Sequence, residues 1–427
     1  MSFSEKIKRV FTIKDLRNAV FFVLAMLVIS RLLAHIPIPG VNTVALREFF
    51  SSNQILGMLN IFSGGGMSNF SVVMMGIGPY ITASIILQLL TMIIPKLDEL
   101  SKEPGGYDKI NMYTRYLTIP LAILQSFGMI KLLQNANTRT PILGYLGWTQ
   151  ILTIVLIVTA GTVFLMWIGE LITEKNIGNG ISILILAGIV SHIPSAVQRI
   201  LATYDPTQIT NLFIFVLISL VTIVAIVFIT EGQRNIPISY ARQVSGNKMT
   251  SGVNTHLPIR VNQAGMIPII FAISVVLFPP MIAQFFIRSN TAWIASSAAW
   301  TVSIFQNQLF YGIIYFTLVV AFTYFYTYII FHPDQVAENL QRQGGFIPGI
   351  RPGKYTQEYV KYVTNRILLT GATFLGVVAV LPLFMQKITG TPNLAISGAS
   401  LLIVVGVVIE IVDQVDSQLS MRDYDGL

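Results

Sequence analysis

Long apolar windows, separated by short polar segments, divide this chain. They run from about Ala19 to Ile36, Val72 to Ile94, Tyr113 to Leu133, Thr149 to Leu171, Ile177 to Val197, Gln208 to Thr230, Gln263 to Ile287, Gln306 to Phe331, Arg366 to Gln386 and Leu394 to Val412. A helix of about 20 apolar residues crosses a hydrocarbon layer of about 30 Å. Each window reaches that length with some tilt. The pattern predicts an all-α polytopic membrane protein with about ten transmembrane helices. One charge, Arg31, interrupts the first window.

Two windows are too long. Phe49 to Pro95 holds 47 residues without one Asp, Glu, Lys or Arg, about twice the need of a single span. In its middle lies Ser63-Gly64-Gly65-Gly66, the strongest helix-breaking run in the chain. Broken backbone stays at membrane depth only where protein buries it or water reaches it. The stretch therefore predicts a re-entrant piece inside a pore, then a span from about Val72. The second overlong window is Ser289 to Pro333. Its first part, with Trp293 and Trp300, predicts an interfacial segment ahead of the eighth span.

Composition agrees. The 427 residues are 53% hydrophobic and 11% charged, with a mean hydropathy of +0.69, where a soluble chain carries about 25% charged residues. There is no cysteine, so neither disulfides nor thiolate-bound metal hold the fold. A net charge of +8 reflects cytoplasmic loops rather than nucleic-acid binding. With a cytoplasmic N-terminus, 20 of the 27 Lys and Arg fall on the cytoplasmic side. The remaining seven are Arg31, Arg47, Lys131, Arg139, Arg199, Arg288 and Lys387. That bias places both termini in the cytoplasm. The first apolar run lacks a convincing cleavage site and is expected to be a retained span.

These features predict four regions. Residues 1–18 form a cytoplasmic amphipathic segment, with Phe3, Ile7, Val10 and Phe11 at helical spacing among basic residues. Residues 19–202 are a first five-span half including the re-entrant piece 60–70, and 203–413 a second. Residues 414–427 form a cytoplasmic tail. Five spans per half imply inverted halves around a central pore, an arrangement common in transport proteins.

Catalytic chemistry is sparse. His35, His192, His256 and His332 have no metal-binding spacing. Glu170, Glu174, Glu410 and Asp413 fall at span ends, where carboxylates are ordinary interfacial residues. Gly349 to Lys354 only superficially resembles a phosphate-binding loop, because Pro348 stands at the first glycine position and Tyr355 follows the lysine. The expectation is no enzyme, no cofactor and no metal. Midplane positions offer isoleucine and uncharged polar residues such as Gln88, Gln125 and Ser274. A pore closed by apolar dewetting fits this better than an ion-coupled site.

Two loops, 232–262 and 332–365, are long enough to carry function. The first predicts a protruding hairpin around Gly246-Asn247. The second predicts a short helix from His332-Pro333-Asp334 to Gly344-Gly345, then a turn presenting Arg351. Ordered turns of this kind suit a docking platform for a cytosolic partner.

Several segments resemble the SecY family. They are Gly76-Ile-Gly-Pro-Tyr-Ile-Thr-Ala-Ser-Ile-Ile-Leu-Gln-Leu-Leu90 and Met166-Trp-Ile-Gly-Glu-Leu-Ile-Thr-Glu-Lys-Asn-Ile-Gly-Asn-Gly-Ile-Ser182, with Asn60-Ile-Phe-Ser-Gly-Gly, Thr255-His-Leu-Pro-Ile, Gly349-Ile-Arg-Pro-Gly and Ser400-Leu-Leu-Ile-Val-Val. They follow the family's order over essentially the whole chain. One departure is the loop Lys96 to Lys109, which has fewer basic residues than some members.

The resemblance implies a protein-conducting channel of the bacterial cytoplasmic membrane. Such a channel passes unfolded secretory polypeptides and releases membrane segments laterally into lipid. It implies a pore ring of Ile77, Ile81, Ile181, Ile185, Ile270 and Ile403. It also implies a plug over 60–70, beginning Asn60, Ile61, Phe62, Ser63, Gly64, Gly65 and Gly66, whose glycines allow displacement at little cost in packing. Thr82, Ser274 and Phe278 match lateral-gate positions, and Arg242, Lys248 and Arg351 lie in the docking loops. The implied partners are SecE and SecG in the membrane, the SecA motor ATPase and the ribosome on the cytoplasmic side, and signal sequences, unfolded polypeptides and membrane lipid. The alternative is a secondary transporter of a small solute; an intramembrane protease fails for want of a catalytic group.

Overall fold

A computed structural model of the chain describes residues 9, 11–52, 60, 63–134, 142–144, 147–202, 209–240, 244–245, 248–249, 254–287, 291–389 and 398–425. Helices stand where the apolar windows place them: α1 (Lys14–Ala34), α3 (Gly78–Ile93), α5 (Gly106–Gln134), α6 (Trp148–Thr173), α7 (Gly180–Ala202), α8 (Ile209–Glu231), α9 (Ile267–Phe286), α11 (Gln308–Ile330), α13 (Lys354–Thr389) and α14 (Gly398–Asp425). Shorter helices α2 (Thr43–Ser52), α4 (Pro95–Lys102), α10 (Ala292–Gln306) and α12 (Pro333–Arg342) lie between them. Among the described residues six helices are by themselves long and apolar enough to cross a membrane. On α8, Leu217, Leu220, Val221, Val224 and Phe228 are all more than half exposed. An apolar surface of that kind requires lipid rather than water around it.

Several boundaries differ from the expectation. The second span begins at Gly78, not Val72, and 72–77 are turns. Gly76 has a φ of +56°, a left-handed conformation that interrupts helix geometry, and Pro79 stands in the first turn, where its missing N–H costs nothing. At its other end Pro95 starts α4, and the chain bends by 108°. At the N-terminus α1 already begins at Lys14, while Phe3, Ile7 and Val10 lie outside the described residues. At the C-terminus α14 continues to Asp425, through the expected tail. The segment with Trp293 and Trp300 is the helix α10, both indoles being about two-thirds exposed.

The chain divides into two compact units. One comprises Met1–Asp205, Leu277–Ser303 and Val407–Leu427; the other comprises Pro206–Val276 and Ile304–Gly406. In the first, α5 packs against both α3 and α6, and α6 packs on α7. Close approach is set by small residues. A side chain at Gly161 of α6 would collide with the carbonyl of Val72, so the turn segment rests directly on this helix. Arg115 of α5 forms an ion pair with Glu170 of α6, a partner that the sequence does not indicate.

In the second unit, α11 and α8 pack on α13. The hairpin exists: β1 (Gln233–Tyr240) pairs antiparallel with β4 (Asn254–Arg260), from Gln233 opposite Arg260 to Ser239 opposite Asn254. Its outer end carries β2 (Val244–Ser245) and β3 (Lys248–Met249), also antiparallel. A strand that the pattern does not foretell, β5 (Gly345–Phe346), joins the other edge of β1, giving the order β4-β1-β5. The two long loops are therefore one structure. Ile236 and Ile238 alternate inward along β1, and Ile236 packs with Ile259, Ile347 and Val360. Ile236→Ala should destabilise this sheet by about 2–5 kcal/mol. Faster proteolysis of the loops in detergent would register it, whereas exposed Arg234→Ala should change the rate little.

Candidate functional site

The broken segment is built from turns that satisfy their own backbone. The Asn60 carbonyl accepts from the Gly65 N–H at 2.9 Å, and its Oδ1 accepts from the Ser68 N–H at 2.8 Å. The Gly65 carbonyl takes the Asn69 N–H, and the Gly66 carbonyl takes the Ser71 N–H at 3.0 Å. Gly64 and Gly65 have φ of +65° and +82°. Two successive left-handed residues preclude an α-helix, so Ser63 to Phe70 runs as linked turns. The segment is anchored to the chain leaving α1. Ile38 N–H donates to the Phe70 carbonyl at 2.9 Å, and Val72 N–H donates to the Ile36 carbonyl at 3.1 Å.

This anchoring corrects one expectation. Met67 and Phe70 are not loosely held: both are buried in a core with Leu46 and Phe50 of α2, Met129 and Leu133 of α5, and Ile151 and Ile154 of α6. Withdrawing one such side chain costs about 1.5–3 kcal/mol. Phe70 even holds a φ of +47°, an unfavourable conformation for a bulky residue that its packing and the Ile38 bond maintain. Within the head, Asn60 to Gly66, the run Ser63-Gly64-Gly65-Gly66 has the small side chains suited to easy movement. Ile61 and Phe62 lie outside the described residues.

Arg31 reaches this head. Its Nη1 donates to the Gly64 carbonyl at 3.1 Å and to Ser191 Oγ of α7 at 3.0 Å. Sequence reasoning registered Arg31 as an interruption of a span and as one of seven basic residues away from the cytoplasmic side. A lone cation inside an apolar window is a functional signal, but its partners are 33 and 160 residues away.

The six isoleucines are all described. Ile77 is the buried N-cap of α3, and Ile81, one turn on, is half-buried. On α7 Ile181 is half-buried and Ile185 buried. These four belong to the first unit. Half-buried Ile270 of α9 and buried Ile403 of α14 belong to the second. Thr82 is buried; its Oγ1 donates to the Gly78 carbonyl and accepts from Gln125 Nε2 of α5 at 3.3 Å. Ser274 Oγ donates back to the Ile270 carbonyl, and half-buried Phe278 precedes Pro279-Pro280 within α9.

On the loops, Arg351 is exposed on the turn between β5 and α13, its carbonyl fixed by Thr356 Oγ1 at 3.0 Å. Lys248 lies in β3, and Arg242 falls outside the described residues. Among the described residues no three His, Asp or Glu cluster to hold a metal ion.

The sequence profile of the SecY family matches residues 71–412. The protein translocase subunit SecY of Halalkalibacterium halodurans is 42% identical over 432 residues, covering 98% of this chain and 98% of that protein. A solved SecY structure, described for a plug domain that stabilises the closed channel and maintains a membrane seal, aligns with a TM-score of 0.63 at 16% identity, over 92% of this chain and 90% of the other. Sec61 from a canine ribosome–channel complex aligns with a TM-score of 0.59 at 13% identity, again over 92% and 90%. The contact between Gly161 and the Val72 carbonyl lies within the matched residues. Gly161→Val should lower the unfolding midpoint, by about 1–3 kcal/mol of overpacking. Gly147→Ala, with open space around it, should not.

Proposed function

The chain belongs to the SecY family, and on that premise we propose how its parts divide the work of a protein-conducting channel. It is a multi-pass membrane protein that translocates polypeptides. The observation that carries this conclusion is 42% identity over 98% of the chain to a protein translocase subunit. A small-solute transporter is not favoured.

The finer assignment is as follows. Ile77, Ile81, Ile181, Ile185, Ile270 and Ile403 line the constriction, where apolar side chains exclude water and ions yet make no hydrogen bond selective for one passing sequence. The head from Asn60 to Gly66 is the plug. Thr82, Ser274 and Phe278 mark a lateral gate, through which a segment leaves when transfer to lipid is favourable. The buried Thr82–Gln125 hydrogen bond supports this assignment on one side: a polar contact can rearrange where a fully interlocked core resists. The halves 19–202 and 203–413 are inverted repeats of five spans each. The chain works without catalysis, in a bacterial cytoplasmic membrane, with both termini cytoplasmic.

SecE and SecG are its membrane partners, and SecA and the ribosome use the composite sheet and the Arg351 turn. Exposure of Arg351 on a turn fixed by Thr356 supports that role. Arg351→Glu should preserve folding, since exposed substitutions shift stability by about 0.5 kcal/mol or less. It should reduce SecA-driven export into vesicles several-fold, as charge reversal weakens docking. Unchanged export at equal channel density would remove Arg351 from the docking surface.

A further inference from the structure

We propose that Arg31 is the positioning residue that latches the plug in its closed seat, an inference that rests on the plug reading of the Asn60–Gly66 head. One guanidinium nitrogen, Nη1, joins three elements: α1, which carries it, the Gly64 carbonyl in the head, and Ser191 Oγ on α7. The fit is close. A side chain at Gly64 would occupy the place of the guanidinium, and the absent side chain of Gly65 leaves room for the His192 ring. The glycine run thus makes space for two side chains as well as bending the chain.

The latch is built to release. Among the described residues no carboxylate forms an ion pair with Arg31, and its Nε is buried without a hydrogen-bond partner there. Breaking an ion pair within low dielectric would leave two uncompensated charges; here release strands only one, facing a carbonyl and a hydroxyl that water can replace. The same helix connects the latch to the passing chain. Ile181, Ile185, Gly188 and His192 follow at helical spacing along one face of α7, with Ser191 beside them. Ser191 is six residues, about 9 Å, from Ile185. A polypeptide that pushes the α7 isoleucines aside moves Ser191 away from Arg31, leaving Gly64 as its remaining partner.

The test measures potassium chloride leak from vesicles holding the full-length channel at rest. Its arms are wild type, a deletion of residues 60–66, Arg31→Gln, Arg31→Lys, Ser191→Ala, and Arg31→Gln combined with the deletion. The deletion should leak. Arg31→Gln should raise the leak on the order of tenfold toward the deletion level, the range expected for losing a charged hydrogen bond. Ser191→Ala should raise it less, Arg31→Lys should restore most of the seal, and Arg31→Gln should add nothing once residues 60–66 are gone. If the deletion leaks while Arg31→Gln stays tight, the latch is wrong and the plug reading stands. A deletion that does not leak overturns the plug reading and the latch together. Equal leak increments with and without residues 60–66 place the action of Arg31 elsewhere and overturn the latch. Should Arg31→Gln not fold, Ser191→Ala at normal yield decides: a raised leak supports the latch, and an unchanged leak overturns it.

Discussion

Backbone amides and carbonyls inside a membrane must find partners within the protein, and the segment between Ser63 and Ile77 meets that constraint without a helix. Its solution is local. Asn60 acts as a surrogate turn through both its carbonyl and its side chain, and the carbonyls of Gly65 and Gly66 take amides from four and five residues on. On either side of Ser71 the backbone leans on a neighbour through paired bonds to Ile36 and Ile38, while Arg31 and Arg47 donate to the Gly64 carbonyl and to Asn69 Oδ1. Because the turns satisfy themselves, the head depends on few external bonds. Those few bonds are what a moving part has to break.

The segment is accordingly graded along its length. From Met67 to Met75 large side chains sit in the core of the first unit, tied to α2, α5 and α6. Ahead of it Gly64 lies against the Arg31 guanidinium and Gly65 against the His192 ring. A stopper that moved as a whole would have to expose Phe70 and Met74, both fully buried. Movement of the head alone leaves that core intact and keeps the chain anchored beside α3. The energetic division therefore falls near Gly66, inside a stretch that composition presents as uniform.

The second unit solves a different problem. A two-stranded hairpin is marginal alone, and β1 would present an open edge to any passing extended chain. Pairing Gly345-Phe346 with that edge, and packing Ile236 and Ile259 against Ile347 and Val360, gives the hairpin both an edge cover and a core. The rigid end of α13 supports the same cluster through Val360. The sheet is thereby held as one unit, and Arg351 is displayed five residues past its last strand.

Much of this was legible in the chain because its cause is local. Apolar windows locate helices because lipid admits little else, Gly64-Gly65 marks a break because two left-handed residues cannot continue a helix, and Gly246-Asn247 between extended runs marks a hairpin. The isoleucines and Arg351 are singled out through motifs of the family, and their roles stand as proposals. Other features depend on residues far apart. A two-residue strand such as β5 carries no periodicity, and only the edge of β1 defines it. Glu170 reads as an interfacial carboxylate, and its pairing with Arg115 is visible only in the fold. Arg31 is visible in sequence as one misplaced charge; that it holds Gly64 and Ser191 follows from helices α1 and α7 meeting over the break. Sequence by itself determined where apolar helices form, the break and the family, since burial pattern and backbone chemistry act over a few residues. Tertiary structure alone decided which part of the break is packed into the core and which meets Arg31, because those contacts join residues up to 160 apart.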